Sequence, residues 1–186
     1  YSMGVQTVML AAAEFGKKEI HKTVNGISRP LGDTELVTTI LLIQLVAIGG
    51  ALLMARLSKS WGNISVLILT VIVWICICAA AFFTRTEMQF YGLAVAVGLV
   101  MGGIQSMSRS TYAKLMPPTE DTASFFSFYD VTEKMAIVVG MFSFGFIEHI
   151  TGNMRNAIFA LAIFFLAGLV ALLFAKGVAK QQVLHI

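Results

Sequence analysis

Long uncharged, apolar stretches recur along the chain, separated by short charged and polar punctuation. No charge falls between Glu35 and Arg56, Lys59 and Arg85, Glu87 and Arg109, or Arg155 and Lys176. Each of these four runs reaches the roughly 20 residues that a helix needs to cross the hydrocarbon core of a bilayer. A fifth stretch, Thr122 to Ile147, is as long but contains Asp130, Glu133 and Lys134. The segment ahead of Glu14 is helix-compatible but shorter, and reads as a helix cut short. The pattern predicts an all-α membrane protein of six transmembrane helices, over about 1–15, 35–57, 64–84, 88–114, 123–148 and 156–176, with a C-terminal tail over 177–186. The polar stretch from Lys17 to Asp33 reads as an external connection. Arg29-Pro30-Leu31-Gly32, Trp61-Gly62-Asn63, Pro117-Pro118 and Thr151-Gly152-Asn153 punctuate the other boundaries.

Composition agrees with that solvent. Of 186 residues 58% are hydrophobic and 12% charged, against about 25% charged in a soluble domain. The net charge of +3 is scattered, which excludes the basic stripe that nucleic acid would require. Lysines and arginines fall evenly on the two sides of a six-span topology, so charge bias leaves the orientation open. The start, Tyr1-Ser2-Met3, has no basic n-region and no small-residue cleavage site, and the chain reads as a fragment. Cys76 and Cys78 are two apart on a helix, point to different sides and are too few for a metal site. Nothing in the sequence calls for a cofactor.

Self-comparison at an offset of 90 residues pairs Gly50 with Gly140, Ala55 with Gly145, Leu57 with Ile147 and Gly62-Asn63 with Gly152-Asn153. Because three is an odd number of spans, two such copies enter the membrane from opposite sides, which makes them inverted three-helix repeats. Coincidence among common small residues and turns is the alternative. Polarity follows the same scheme. Gln6, Gln44 and Gln105 lie in the first, second and fourth helices and the fifth carries its charged trio. The third and sixth lack such groups past their first residues, and so suit lipid over much of their surface.

In the fourth helix Gly98, Gly102, Gln105 and Arg109 are spaced 4, 3 and 4, which keeps them within a stripe of about 60°. Gly98 and Gly102 permit close approach of a neighbouring helix, as do Gly140 and Gly145 in the fifth. Arg109 serves either as an interfacial anchor or as part of a polar site. A charge at mid-membrane costs about 2.5 to 3.5 kcal/mol, so the trio in the fifth helix calls for a cavity or partners. Asp130 and Lys134 have the i,i+4 order that favours an ion pair within the helix. That pair either orders the bundle or titrates during function. Glu133 lacks an in-helix partner and is the better proton carrier, unless it reaches Arg109.

Gly4-Val5-Gln6-Thr7, Gly102-Gly103-Ile104-Gln105-Ser106-Met107-Ser108-Arg109-Ser110, Pro117-Pro118 and Phe125-Phe126-Ser127-Phe128-Tyr129-Asp130 with Lys134 resemble the C-terminal half, helices seven to twelve, of the vacuole-effluxer-like (autophagy-related permease) branch of the major facilitator superfamily. The loop Ala55-Arg56-Leu57-Ser58-Lys59-Ser60-Trp61-Gly62 resembles the superfamily's Gly-x-Leu-x-Asp-Arg-x-Gly motif, with Ala55 for Gly, Lys59 for Asp and Ser60 for Arg. The resemblance implies one half of a secondary transporter with both termini cytoplasmic, multi-pass in a bacterial inner (plasma) membrane. The first and fourth helices would line the central cavity, the second and fifth would meet the other half, and the third and sixth would face lipid. Gln6, Gln105, Arg109 and Tyr129 are then substrate-cavity candidates, and Asp130, Glu133 and Lys134 charge-pair or proton-coupling candidates.

The expected partners are the lipid bilayer, a six-helix N-terminal half and a small-molecule substrate, possible substrates including amino acids. A homodimeric transporter or channel is the alternative. An intramembrane hydrolase is disfavoured, because His21, His149 and His185 all fall in loops or the tail and no nucleophile or metal motif is present.

Overall fold

A computed structural model describes residues 1–24, 27–30, 32–117 and 121–184. Leu31, Pro118, His185 and Ile186, named in the sequence motifs and tail above, lie outside the described residues. The order is α1 (Ser2–Glu19), β1 (His21–Val24), β2 (Ile27–Pro30), α2 (Asp33–Trp61), α3 (Asn63–Phe83), α4 (Glu87–Leu115), α5 (Thr122–Thr151) and α6 (Met154–Leu184). Among the described residues five helices, α2 to α5 and α6 through Gly177, are long and apolar enough to cross a membrane. The protein is an integral, multi-pass membrane protein built on a helical bundle.

Two segments differ from the sequence expectation. The connection expected as plain external chain contains an antiparallel hairpin, with His21 opposite Pro30 and Val24 opposite Ile27. Its sequence signal is Asn25-Gly26 between two short runs, the dipeptide preferred in tight hairpins. Helix α6 runs on to Leu184, through most of the expected tail. Lys176 ends the apolar run, but a charge that stops a span does not stop a helix, no proline follows it, and a helix can run on through Gly177.

Local chemistry fixes the helix ends. Thr86 and Gln89 form a capping box at the start of α4. Asp121 caps α5 by accepting from the Ser124 N–H at 3.1 Å. Gly62 and Gly152, which follow α2 and α5, have φ of 79° and 62°, a region open to glycine at little cost.

Helix α2 packs along α4, α1 along α5, and α3 against both α4 and α6. The α2–α4 contact rests on absent side chains. A Cβ on Gly98 would lie 2.8 Å from the Ile43 carbonyl oxygen, one on Gly102 would strike the Ala47 carbonyl, and one on Gly50 would strike the backbone of Leu99. Gly140 of α5 meets Met3 and Thr7 of α1 in the same way. Gly145, expected beside it as a packing glycine, has open space around its Cα instead. It lies on a side of α5 that no described helix covers.

The centre of the core is α3 on α6, where the Trp74 and Phe165 rings stack at 5.5 Å. Helix α3, expected to suit lipid over much of its surface, buries Val66, Leu67, Val71, Trp74 and Cys78, while Cys76 on its other side is exposed. A wholly apolar helix suits a protein core as well as it suits lipid, so polarity alone could not separate the two. Helices α2 and α5 have the smallest buried share of the five spans.

At the end of the bundle where α1 stops, Arg155 holds three helices together. Its Nε donates to Glu19 Oε2 at 2.6 Å and its Nη2 to the Glu19 carbonyl at 2.9 Å. Its Nη1 reaches the carbonyls of Phe82 and Thr84. The guanidinium also lies 5.6 Å from the centre of the Phe15 ring. The fork thus neutralises a carboxylate and satisfies carbonyls at the C-terminal ends of α1 and α3, where a cation is favoured.

Candidate functional site

At the opposite end, α1, α4 and α5 surround a cavity of about 520 Å³. Helix α1 contributes Gln6, α4 contributes Gln105, Ser106 and Arg109, and α5 contributes Phe126, Tyr129 and Glu133. The 4, 3, 4 spacing on α4 explains part of this convergence. Gly98 and Gly102 bring α4 against α2, and the same helix presents Gln105 and Arg109 to the cavity one and two turns further on. Arg109 is six residues from the end of α4, about 9 Å along the axis.

Arg109 Nη2 pairs with Asp130 Oδ1 at 2.5 Å, and both side chains are partly exposed. The expected ion pair between Asp130 and Lys134 does not form. Lys134 is exposed and has no ion pair among the described residues. A pair within one helix contributes only about 0.2 to 0.5 kcal/mol, whereas the guanidinium of Arg109 lies directly opposite Asp130 on the neighbouring helix. The Arg109 guanidinium also lies 5.8 Å from the centre of the Tyr129 ring.

Hydroxyl groups join the three helices beside this pair. Ser108 Oγ lies 2.5 Å from Tyr1 Oη and 2.8 Å from Tyr129 Oη, so α4 links α1 to α5. Ser2 Oγ donates to Glu133 Oε1 at 3.1 Å. Glu133 is thus held by α1 and does not reach for Arg109. The Tyr112 ring packs on Tyr129 at 4.9 Å, and its hydroxyl donates to the Phe125 carbonyl. Gln105 Nε2 approaches the Met9 sulfur at 3.7 Å. Gln44 borders a separate, smaller and mainly apolar cavity with Val8, Ile40 and Val97.

The cavity therefore holds a neutralised cation, a carboxylate whose partner among the described residues is a hydroxyl, two amides and two aromatic rings. Such a set suits a small polar solute with charges of both signs. Ser108 stands within a motif quoted above and Tyr1 at the start of the chain, but the sequence assigns neither to the site, since hydroxyl residues are common and only the meeting of α1, α4 and α5 singles these out.

The family model described as "Vacuole effluxer Atg22 like" matches residues 1–182. The MFS-type transporter YxiO of Bacillus subtilis (strain 168) is 28% identical over 98% of this chain and 41% of that protein. Autophagy-related protein 22 of Cryptococcus neoformans is 34% identical over 62% of the chain and 23% of that protein. Its counterpart in Pichia angusta is 26% identical over 89% and 30%. The chain spans less than half the length of these relatives. No solved structure matches. The chain belongs to the vacuole effluxer Atg22-like family, a family of membrane transporters and not of enzymes.

Proposed function

We propose that this chain forms one half of a secondary active transporter that moves a small, amino-acid-like solute by alternating access, coupled to protons. The observation that carries the reading is the cavity between α1, α4 and α5, with Arg109, Glu133, Gln6 and Gln105 on its walls. A zwitterion would offer its carboxylate to Arg109, exchanging it for Asp130, and its ammonium group to Glu133 and the face of Tyr129. Glu133 is the proton carrier in this scheme, because its described partner is a neutral hydroxyl that tolerates either protonation state. Lys134, away from the pair, lies outside the coupling step.

The inverted repeat belongs to the same proposal. Exchanging α1–α3 with α4–α6 turns the α2–α4 contact into α5–α1 and leaves α3–α6 unchanged, and both contacts are present. Gly50 and Gly140 make the two close approaches, while Gly62 and Gly152 make the two positive-φ turns. Six spans, with α1 as the first, complete the half. A second six-helix half covers α2 and α5, and a bacterial plasma membrane is the proposed location, by analogy with the bacterial relative.

Proteoliposomes containing the full-length protein test this reading. Uptake of a neutral amino acid from a radiolabelled panel should be saturable, should rise with an imposed proton gradient and should lose that dependence in Glu133→Gln. Gradient-independent uptake by the unaltered protein would remove the proton coupling. An absence of uptake across the panel would remove the substrate class.

A further inference from the structure

A second groove, separate from the transport cavity, lies where the α2–α3 turn meets the ends of α4 and α6 and encloses about 600 Å³. Two lysines border it, Lys114 from the last turn of α4 and Lys176 from α6. Lys114 Nζ donates to Asn63 Oδ1 at 3.0 Å, a neutral acceptor that leaves its charge uncompensated. Lys176 is exposed, and among the described residues neither lysine has a carboxylate within 4 Å. Trp61 and Leu115, more than half exposed, stand at the rim. The uncapped start of α3 borders the same groove and adds the positive end of its dipole.

Depth distinguishes this groove from an ordinary basic patch. Trp61 ends α2, Asn63 begins α3, Leu115 ends α4 and Lys176 closes the apolar run of α6. All four therefore lie at one end of the bundle, at or just past the ends of the apolar runs, and tryptophan and lysine are the residues favoured where hydrocarbon gives way to headgroups. A ligand here meets two cations on its polar side and apolar side chains toward the bilayer. We propose that the groove is a binding site for an anionic membrane phospholipid, its phosphate between Lys114 and Lys176 and its acyl chains beside Trp61 and Leu115. The site requires only that the chain reside in a membrane, so it stands or falls separately from the transport proposal.

The test uses the full-length protein, purified in detergent, stripped of lipid and titrated with phosphatidylglycerol, phosphatidylcholine or inorganic phosphate. Retention is read by native mass spectrometry. Phosphatidylglycerol should be held about tenfold more tightly than phosphatidylcholine with the same chains, and Lys176→Gln should weaken it about fivefold. Lys114→Gln/Lys176→Gln should bring the two lipids level, and inorganic phosphate should not displace phosphatidylglycerol. Because the described side chain of Lys176 makes no ion pair, Lys176→Gln carries the test even if the double variant fails to fold. Equal retention of phosphatidylglycerol by the unaltered protein and Lys176→Gln would overturn the proposal, as would equal retention of the two lipids. Displacement by inorganic phosphate would also overturn it, by assigning the groove to a small anion.

Discussion

Arg109 and Asp130 neutralise each other across the α4–α5 contact, and this shapes what their substitution does. Removing one partner leaves the other charged inside a membrane, whereas removing both leaves two neutral groups. In the full-length transporter Arg109→Gln and Asp130→Asn should each lower initial uptake by about tenfold or more. Because the proposed function gives Arg109 the substrate's carboxylate, the double variant should stay as impaired as Arg109→Gln. Recovery of much of the loss in the double variant would mean that the pair serves only to hold α4 against α5, and initial rates across the four proteins separate the cases. Arg155 is a different kind of residue, because its partners are a carboxylate and three backbone carbonyls. Arg155→Ala should cost about 3 kcal/mol or more in denaturant unfolding, and Arg155→Lys should recover little, lacking the planar fork. Polar groups within or at the ends of long apolar stretches made Gln105, Arg109 and Asp130 stand out in the sequence. The partner of Asp130 was not, since it comes from another helix. Arg155 was hidden for a related reason: a charge beside a turn looks like the end of a span, and backbone acceptors leave no mark in the sequence.

Helix ends and helix contacts respond to different chemistry. Gly102→Leu should force α2 and α4 apart, because even a Cβ there would strike the Ala47 carbonyl, and should cost about 1 to 3 kcal/mol or more. Gly145→Ala, in open space, should be neutral or stabilise α5 by up to about 1 kcal/mol through helix propensity. Thermal unfolding of the two variants in one detergent compares them directly. Asp121, outside the span of α5, is held below its ordinary carboxylate value by hydrogen bonds, the larger from the Ser124 side chain and the smaller from its backbone. A lowered folded-state value means that its contribution is complete above the ordinary carboxylate value of 3.8. It is lost as the pH falls through the lowered value. Protection from hydrogen exchange at the start of α5, taken against the intrinsic amide rate at each pH, should therefore fall over that acidic window, and Asp121→Ala should remove the dependence. Apolar run length made the helices legible, since a bilayer imposes a minimum on it. The hairpin was less so, because four-residue strands carry little periodicity and a polar connection has many ways to be satisfied.

At the scale of the whole molecule, the exposed apolar surface is unevenly placed. Leu41, Leu45 and Ile48 on α2, and Val138, Phe142 and Phe146 on α5, are all more than half exposed. A membrane protein gains no hydrophobic energy by burying such faces against protein instead of lipid, so exposure alone does not say what covers them. Position does. Helix α2 packs along α4 and α5 along α1, beside the cavity that α1, α4 and α5 line, and the chain makes up less than half the length of its relatives. The proposed second half would therefore seat on this side and close the cavity, while Ile163 on α6, 65% exposed, would remain in lipid. Single tryptophans in an otherwise tryptophan-free full-length protein, placed by Leu45→Trp, Phe142→Trp or Ile163→Trp, should report this in bilayers containing brominated phospholipid. Fluorescence at position 163 should be strongly quenched and that at 45 and 142 should be largely spared. Strong quenching at all three positions would mean that lipid, and not protein, lies against α2 and α5. The cavity between α1, α4 and α5 would then need another means of closure.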